Sequence, residues 1–172
     1  MATEASQPLK ISLPVSAALA QALYNEFQAS TIANGYAGVP AQYTFVKVNA
    51  SGQADLIAAQ TDIAIGVIQN APFVISQGSS QAGGGVGEIT VIGATKCRAG
   101  GTITLGASTP GNALVISVSS SLVGTAVQSS TFVSTAGASN GKTVVGQALT
   151  SAATGDLFKA IVNCTLPLPI GA

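Results

Sequence analysis

The residues that could do chemistry in this chain are few, and none of them forms a convincing catalytic set. Two pairs of carboxylates could share acid–base work, Asp55 with Asp62 and Glu88 with Asp156. The chain has many serines but no histidine, so a serine cannot be activated in the usual way by an imidazole. Because only six acidic residues are spread along 172, each carboxylate is better interpreted as a solvated turn residue. The sequence therefore predicts a protein that is not an enzyme.

A glycine-rich run at 83–87, GGGVG, invites comparison with the loops that bind phosphates. It does not fit GxGxxG, because Glu88 stands where the third glycine belongs. A lysine followed by serine or threonine, as in a P-loop, is also missing after it. We therefore predict a flexible loop and no nucleotide cofactor.

The two cysteines, Cys97 and Cys164, are too few to bind zinc unaided in a chain without histidine. On the strand pattern both fall on an apolar face, which favours two buried free thiols over a disulfide. The sequence predicts no metal site and no other cofactor.

Charge is unusually scarce. Only 7% of the residues are charged, against roughly 25% in ordinary soluble domains, while mean hydropathy is +0.51 and net charge is zero. Apolar surface that a monomer would expose is usually buried against a partner, so we expect an oligomer or an assembly component.

The six basic residues are spread singly along the chain and leave no basic patch, so no nucleic-acid partner is expected. No apolar run approaches the roughly 20 residues of a membrane span, and the N-terminus does not resemble a secretory signal. Neither a membrane nor secretion is therefore predicted.

The N-terminal residues 1–40 are predicted to form an extended arm and one helix. Apolar residues alternate with polar ones in 1–13, so the arm is either a loose terminus or a strand added to a neighbour's sheet edge. Pro14 suits the first turn of a helix at about 14–29. Its apolar stripe, which indicates core or subunit interface, comprises Val15, Ala18, Leu19, Ala22, Leu23 and Phe27.

Residues 41–166 are predicted to form a β domain. Short segments alternate apolar and polar side chains, and Gly or Pro-Gly turns separate them. Gly66 interrupts an apolar strand, which indicates burial on both faces or a bulge. Asn140-Gly141 is typical of a hairpin turn before a closing pair of strands. The principal predicted strands are 42–46, 63–69, 88–92, 95–99, 102–105, 143–149 and 157–166.

The predicted fold class is mainly β, a small antiparallel β-sandwich or barrel with one N-terminal helix and an extended arm. Residues 118–141, rich in Ser, Thr, Ala and Gly, are either a weakly packed β excursion or an exposed flap. The proline-rich tail at 167–172 cannot continue a central strand, since proline lacks the amide donor.

Several ordered segments together resemble a known family. They are IGVIQNA at 65–71, GATKCRAG at 93–100 leading to ITLG at 103–106, VGQAL at 145–149 and ATGDLFKAIV at 153–162. In this order they are similar to the capsid cement (head decoration) proteins of tailed bacteriophages, which are small and all-β. The resemblance covers residues 42–117 and 142–163.

The resemblance implies a protein that binds the outside of the head shell, commonly as a trimer, and stabilises it against the pressure of the packaged DNA. The implied partners are the major capsid protein and further copies of the chain. The virion's outer surface is the implied location, after synthesis in the host bacterial cytoplasm. The arm residues Leu9, Ile11 and Leu13 are then candidates for capsid contact, and the stripe residues Val15, Leu19, Leu23 and Phe27 are candidates for the subunit interface.

An alternative is an outward-facing head fibre or adhesin, in which 118–141 and the tail would bind a host surface. An exposed aromatic cluster would favour it, but only Phe132 is available in that segment.

Overall fold

The computed structural model describes residues 7–31, 41–59, 62–70, 73–75, 82–106, 113–117, 124–128, 143–164 and 168–169. Within them the chain forms one helix, α1 (Ala17–Thr31), and twelve strands. The strands are β1 (Leu9–Pro14), β2 (Phe45–Val48), β3 (Ala54–Leu56), β4 (Gly66–Ile68), β5 (Phe73–Ile75), β6 (Ala82–Gly84), β7 (Val86–Arg98), β8 (Ala113–Ile116), β9 (Ala126–Gln128), β10 (Thr143–Ala148), β11 (Leu157–Asn163) and β12 (Leu168–Pro169).

Ten of these strands make one antiparallel sheet that curls into a half-barrel. Its order is β3-β2-β4-β7-β11-β10-β8-β9, with β1 paired to β7 and β12 paired to β10, while β5 and β6 form a separate hairpin. The predicted fold class, mainly antiparallel β with one N-terminal helix, is confirmed. The arm strand β1 belongs to the same sheet as the strands of 41–166.

The long strand β7 organises the sheet, and the sequence prediction divided it wrongly. Residues 88–92 and 95–99 are not two strands, because β7 runs unbroken for 13 residues. Gly93 makes this possible by adopting φ 115°, where a side chain would be strained. A Cβ there would also lie 2.9 Å from Cα of Pro8, so glycine lets the residue just before β1 pass closely.

Two other strand predictions are corrected or refined. Residues 102–105 do not form a strand, since Ile103 makes only an isolated bridge with Ala152. The short β4 is buried at all three positions, as predicted for a strand covered on both faces. A Cβ on Gly66 would lie 2.4 Å from the carbonyl oxygen of Thr90, so glycine is needed where β4 approaches β7 at this position.

Helix α1 begins later than the sequence predicts. Pro14 is the last residue of β1, opposite Val86, and does not open the helix. The N-cap is Ser16, whose hydroxyl oxygen accepts a hydrogen bond from the Leu19 amide at 3.1 Å. A serine at this position satisfies an amide that the first helical turn leaves unpaired.

Apolar side chains pack into two clusters. The first lies on the curled sheet and joins β2, β4, β7, β8, β10 and β11 through residues that include Phe45, Val67, Cys97, Leu114, Phe158 and Val162. The second lies beneath α1 and is built from residues that include Val15, Leu19, Leu23, Val46, Ile68 and Ile89. Adjacent residues of β2, Phe45 and Val46, enter different clusters, because successive side chains of a strand point to opposite faces.

Strand β11 shows the predicted alternation. Phe158, Ala160 and Val162 are buried, and the residues between them are exposed. The predicted closing pair is present, with β10 antiparallel to β11. The turn at Asn140-Gly141 and most of 118–141 lie outside the described residues, apart from β9 within 124–128. In the tail, β12 adds two residues to β10, with Leu168 opposite Val144.

Candidate interaction surface

The arm candidates for capsid contact lie on β1, which pairs with β7 of the same chain along its whole length. Leu9 is 51% exposed, while Ile11 and Leu13 are partly buried against the cluster beneath α1. Among the described residues β1 has no strand on its other side. The arm is therefore an edge strand of the protein's own sheet, and only its outer edge is left for a partner.

Three of the four candidates for the subunit interface are corrected by the structure. Val15, Leu19 and Leu23 are at most 2% exposed within the single chain, so they have no surface to offer another subunit. Phe27 differs, because it is 54% exposed and contacts Phe73 with ring centroids 5.6 Å apart. Helical spacing identifies an apolar stripe but does not distinguish core from interface.

The carboxylates make no acid–base pair. Asp55 accepts a hydrogen bond from Ser16 at 2.6 Å, and Glu88 pairs with Lys10 at 2.8 Å. Asp156 accepts a hydrogen bond from the amide of Ala153 at 3.3 Å. These groups are not simply solvated turn residues, as the sequence suggested, because each has a protein partner.

Asp62 is held most firmly. It accepts hydrogen bonds from the amides of Ala58 and Ala59 and forms an ion pair with Lys47 at 2.9 Å. Burial acts to raise the pKa of Asp62, but the hydrogen bonds and the Lys47 ammonium outweigh it and lower the pKa below its usual value. Its role is to fix the loop before β4, and its partners in the described part of the chain include no second carboxylate.

The cysteines are free, as predicted, but only Cys97 is fully buried, whereas Cys164 is partly buried. Burial raises the pKa of the Cys97 thiol far above its usual value, with a smaller contribution from Cys164. Burial also raises the pKa of Cys164, to about 12. Both thiols therefore stay protonated near neutral pH and are poor nucleophiles and ligands. Within the described part of the chain, no three residues of the metal-binding types come together.

The glycine-rich run is not a free loop throughout. Its first two residues belong to β6, and its last two begin β7. A Cβ on Gly84 would lie 2.3 Å from the carbonyl oxygen of Val15, so a glycine is needed where β6 crosses the chain ahead of α1. The glycine-rich run therefore serves close packing of strands.

No helix in the described ranges is long and apolar enough to cross a membrane.

The feature that the sequence did not reveal is a concavity of about 480 Å³, here called the lysine groove. Three lysines line it, Lys10 from β1, Lys96 from β7 and Lys159 from β11. The prediction that the basic residues leave no patch is therefore wrong, because the sheet gathers half of the six onto one surface. The alternation of β7 and β11 gives the orientation of Lys96 and Lys159, but only strand register brings them together.

One wall of the lysine groove is held in an uncommon backbone conformation. Tyr43 lines it with φ 63°, a region that residues other than glycine seldom adopt. Its amide donates to the carbonyl of Ile68, and its carbonyl accepts from the amide of Arg98, both at 2.9 Å. Since such strain persists only where the surroundings hold it, this wall is a rigid part of the groove.

Comparison with known proteins identifies a likeness of fold. No protein-family model matches the chain, and neither does any curated protein sequence. Among solved structures, the chain is similar to the head fiber gp8.5 N base of bacteriophage phi29, with a TM-score of 0.50 and 15% sequence identity. The alignment covers 90% of this chain and 95% of that one. At this identity the likeness is one of fold, and it extends over almost the whole of both chains.

Proposed function

We propose that this chain is a structural protein of a tailed-bacteriophage head, which binds the outer surface of the shell as an oligomer and stabilises it. The observation that carries the proposal is the likeness to the phi29 head fiber base over nearly the full length of both chains. The motifs that resemble capsid cement proteins support it independently, because that resemblance lies in the sequence and the likeness to the phi29 structure lies in the fold. The absence of a carboxylate pair or a reactive thiol among the described residues fits a structural role.

The exposed surface supports assembly. Large apolar side chains remain exposed on the arm, the helix, other strands of the sheet and the loops between them, at Leu9, Phe27, Val48, Ile63, Val86, Leu105, Leu149, Leu157 and Ile161. A chain with 7% charged residues has little else to keep such a surface solvated. We infer that a homotrimer and the shell cover part of it, through Phe27 and the outer edge of β1.

The proposed mechanism is mechanical. An oligomer that bridges several shell subunits adds interface that must break before the shell can rupture. Each contact can be modest, because contacts made by one rigid oligomer add through multivalency.

A second candidate is the base of a head fibre. The likeness to the phi29 structure, which is the base of a head fiber, supports this candidate to the same degree as the first. In this case the chain would anchor a projecting structure to the shell and stabilise the shell little. Both candidates require attachment to the head, but only attachment of a cement protein would make the shell more stable.

The test is to mix the purified chain with heads that lack it and to heat the heads until DNA is released. Co-sedimentation with the heads and a higher release temperature support a cement protein. Co-sedimentation with an unchanged release temperature supports a fibre base. Failure to co-sediment at micromolar concentration overturns both.

A further inference from the structure

We propose that the lysine groove is the docking site for an acidic, apolar-flanked peptide segment of a protein partner. The inference rests on the proposed function in one respect only, that the partner is the head shell.

Two of the lysines face each other without compensation. Lys96 and Lys159 are register partners across β7 and β11, so their side chains leave the sheet side by side. Like charges placed directly opposite in a sheet destabilise it. None of the described carboxylates forms an ion pair with either ammonium group. The folded chain therefore carries a local repulsion that a bound anion would relieve.

The third lysine, Lys10, is already paired, so the uncompensated positive charge comes from the other two. Lys10 contacts Glu88 at 2.8 Å, and both side chains are nearly half exposed. The groove thus offers two uncompensated positive charges, with a third that can be shared. Two or three carboxylates, spaced as on alternate residues of an extended segment, would match this set.

Apolar neighbours make the surface amphipathic. Leu149 lines the groove beside Lys159, and its amide donates to the Lys159 carbonyl at 2.8 Å. Ile161, on the same exposed face of β11 as Lys159, is 45% exposed. A partner that supplied only charge would leave this apolar surface exposed to water. A peptide in which acidic and apolar residues alternate would cover the apolar surface and pair with the lysines.

A peptide fits better than a nucleic acid. Phosphate backbones are bound by tracks of many basic residues, and this chain has six in all. Two others are engaged elsewhere, Lys47 with Asp62 and Arg98 with Glu26. The groove is a short basic site bordered by apolar side chains, which matches a protein segment.

The direct test uses a fluorescent peptide in which aspartates alternate with leucines, and a counterpart with asparagine in place of aspartate. Anisotropy should show that the acidic peptide binds and that its asparagine counterpart binds at least about tenfold more weakly, as loss of charge-assisted contacts implies. The K96Q/K159Q variant should lose about tenfold in affinity for the acidic peptide, while K47Q, a matched change outside the groove, should not. Equal binding of both peptides, or of K96Q/K159Q and the unmodified chain, would overturn the inference.

Two further measurements separate this inference from the proposed function. The thermal midpoint of K96Q/K159Q should equal or exceed that of the unmodified chain, because the repulsion between the two lysines has been removed. A loss of binding by this variant would then not result from misfolding. Head co-sedimentation should weaken for K96Q/K159Q and not for K47Q. If K96Q/K159Q and K47Q bind heads equally well, the groove is not the shell contact, although the chain is still a head protein.

A competition experiment tests the alternative ligand. If a duplex DNA oligonucleotide displaces the peptide when the two carry the same concentration of negative charges, a nucleic acid is the better ligand and the inference fails.

Discussion

The guanidinium of Arg98 lies 2.5 Å from the carboxylate of Glu26 and joins the helix to the end of β7. The other carboxylate oxygen of Glu26 accepts hydrogen bonds from the amides of Ala41 and Gln42, both at 2.9 Å. Arg98 also donates to the carbonyl of Gly155 at 3.1 Å. One ion pair thus fixes four segments, including the residues that lead into the strained Tyr43.

We expect Glu26→Ala to destabilise the fold strongly. The side chains of Arg98 and Glu26 are only 21% and 17% exposed, so removing the carboxylate leaves a largely buried cation and two amides without their partner. The loss should be about 2–4 kcal/mol in the free energy of unfolding, measured by urea denaturation. Glu88→Ala, which breaks the exposed pair with Lys10, should cost under about 1 kcal/mol. Equal losses for the two variants would contradict the structural role of Arg98.

Gly66→Ala tests the close approach of β4 to β7. The new methyl carbon would lie 2.4 Å from a backbone oxygen, which cannot move without disturbing the centre of the sheet. We expect a loss of about 1–3 kcal/mol or more and a lower thermal midpoint. Gly101→Ala is the matched control, because its methyl would meet only Cγ1 of Val127 at 3.8 Å, an ordinary contact. Similar midpoints for both variants would show that the strands are not packed this closely.

The two thiols should make the free energy of unfolding depend on pH in the alkaline range. The pKa of each thiol is raised by burial above its ordinary value of 9.0, so above this pH the unfolded chain loses protons that the folded chain keeps. The free energy of unfolding should therefore be undiminished below pH 9 and fall as pH rises through the raised pKa of Cys164, about 12. Denaturation of the unmodified chain and of a Cys97→Ala/Cys164→Ala variant should show a shallower decline in the variant. Parallel curves would mean that the thiols are not buried.

The outer edge of β1 can be tested with a proline. The amide of Val15 donates to the Gly85 carbonyl, and antiparallel pairs alternate, so Ile11 directs its amide toward β7 and Ser12 directs its amide away. Ser12→Pro should leave the thermal midpoint almost unchanged but weaken co-sedimentation with heads, if a shell strand pairs there. Ile11→Pro should lower the midpoint, because it removes a bond of the sheet itself. Undiminished head binding by Ser12→Pro would exclude strand addition at this edge.

The sequence predicts the features that depend on the alternation of apolar and polar residues. It misses the features that depend on which strands pair and in what register. The buried face of β11, with Phe158, Ala160 and Val162, follows directly from period-two patterning. The continuity of β7 does not follow from this patterning. A glycine such as Gly93 is typical of a turn, but here it allows the strand to pass Pro8 without a break.

Two features of the fold could not be predicted from sequence patterns for the same reason. Lys96 and Lys159 are 63 positions apart in the chain, and only the pairing of β7 with β11 places them side by side. The apolar stripe of the helix was visible, but its burial under the sheet's second face was decided by tertiary packing. Charge counted along the chain therefore underestimated charge density on the folded surface.

The proposed attachment to a phage head is most directly tested by cryo-EM of heads assembled with and without this chain. The account predicts density on the outer surface of the shell that fits the half-barrel of β7, β11 and β10, repeated at equivalent sites, and absent from heads made without the chain. Identical shell surfaces in the two preparations, or density for this chain only in the tail or inside the head, would contradict it.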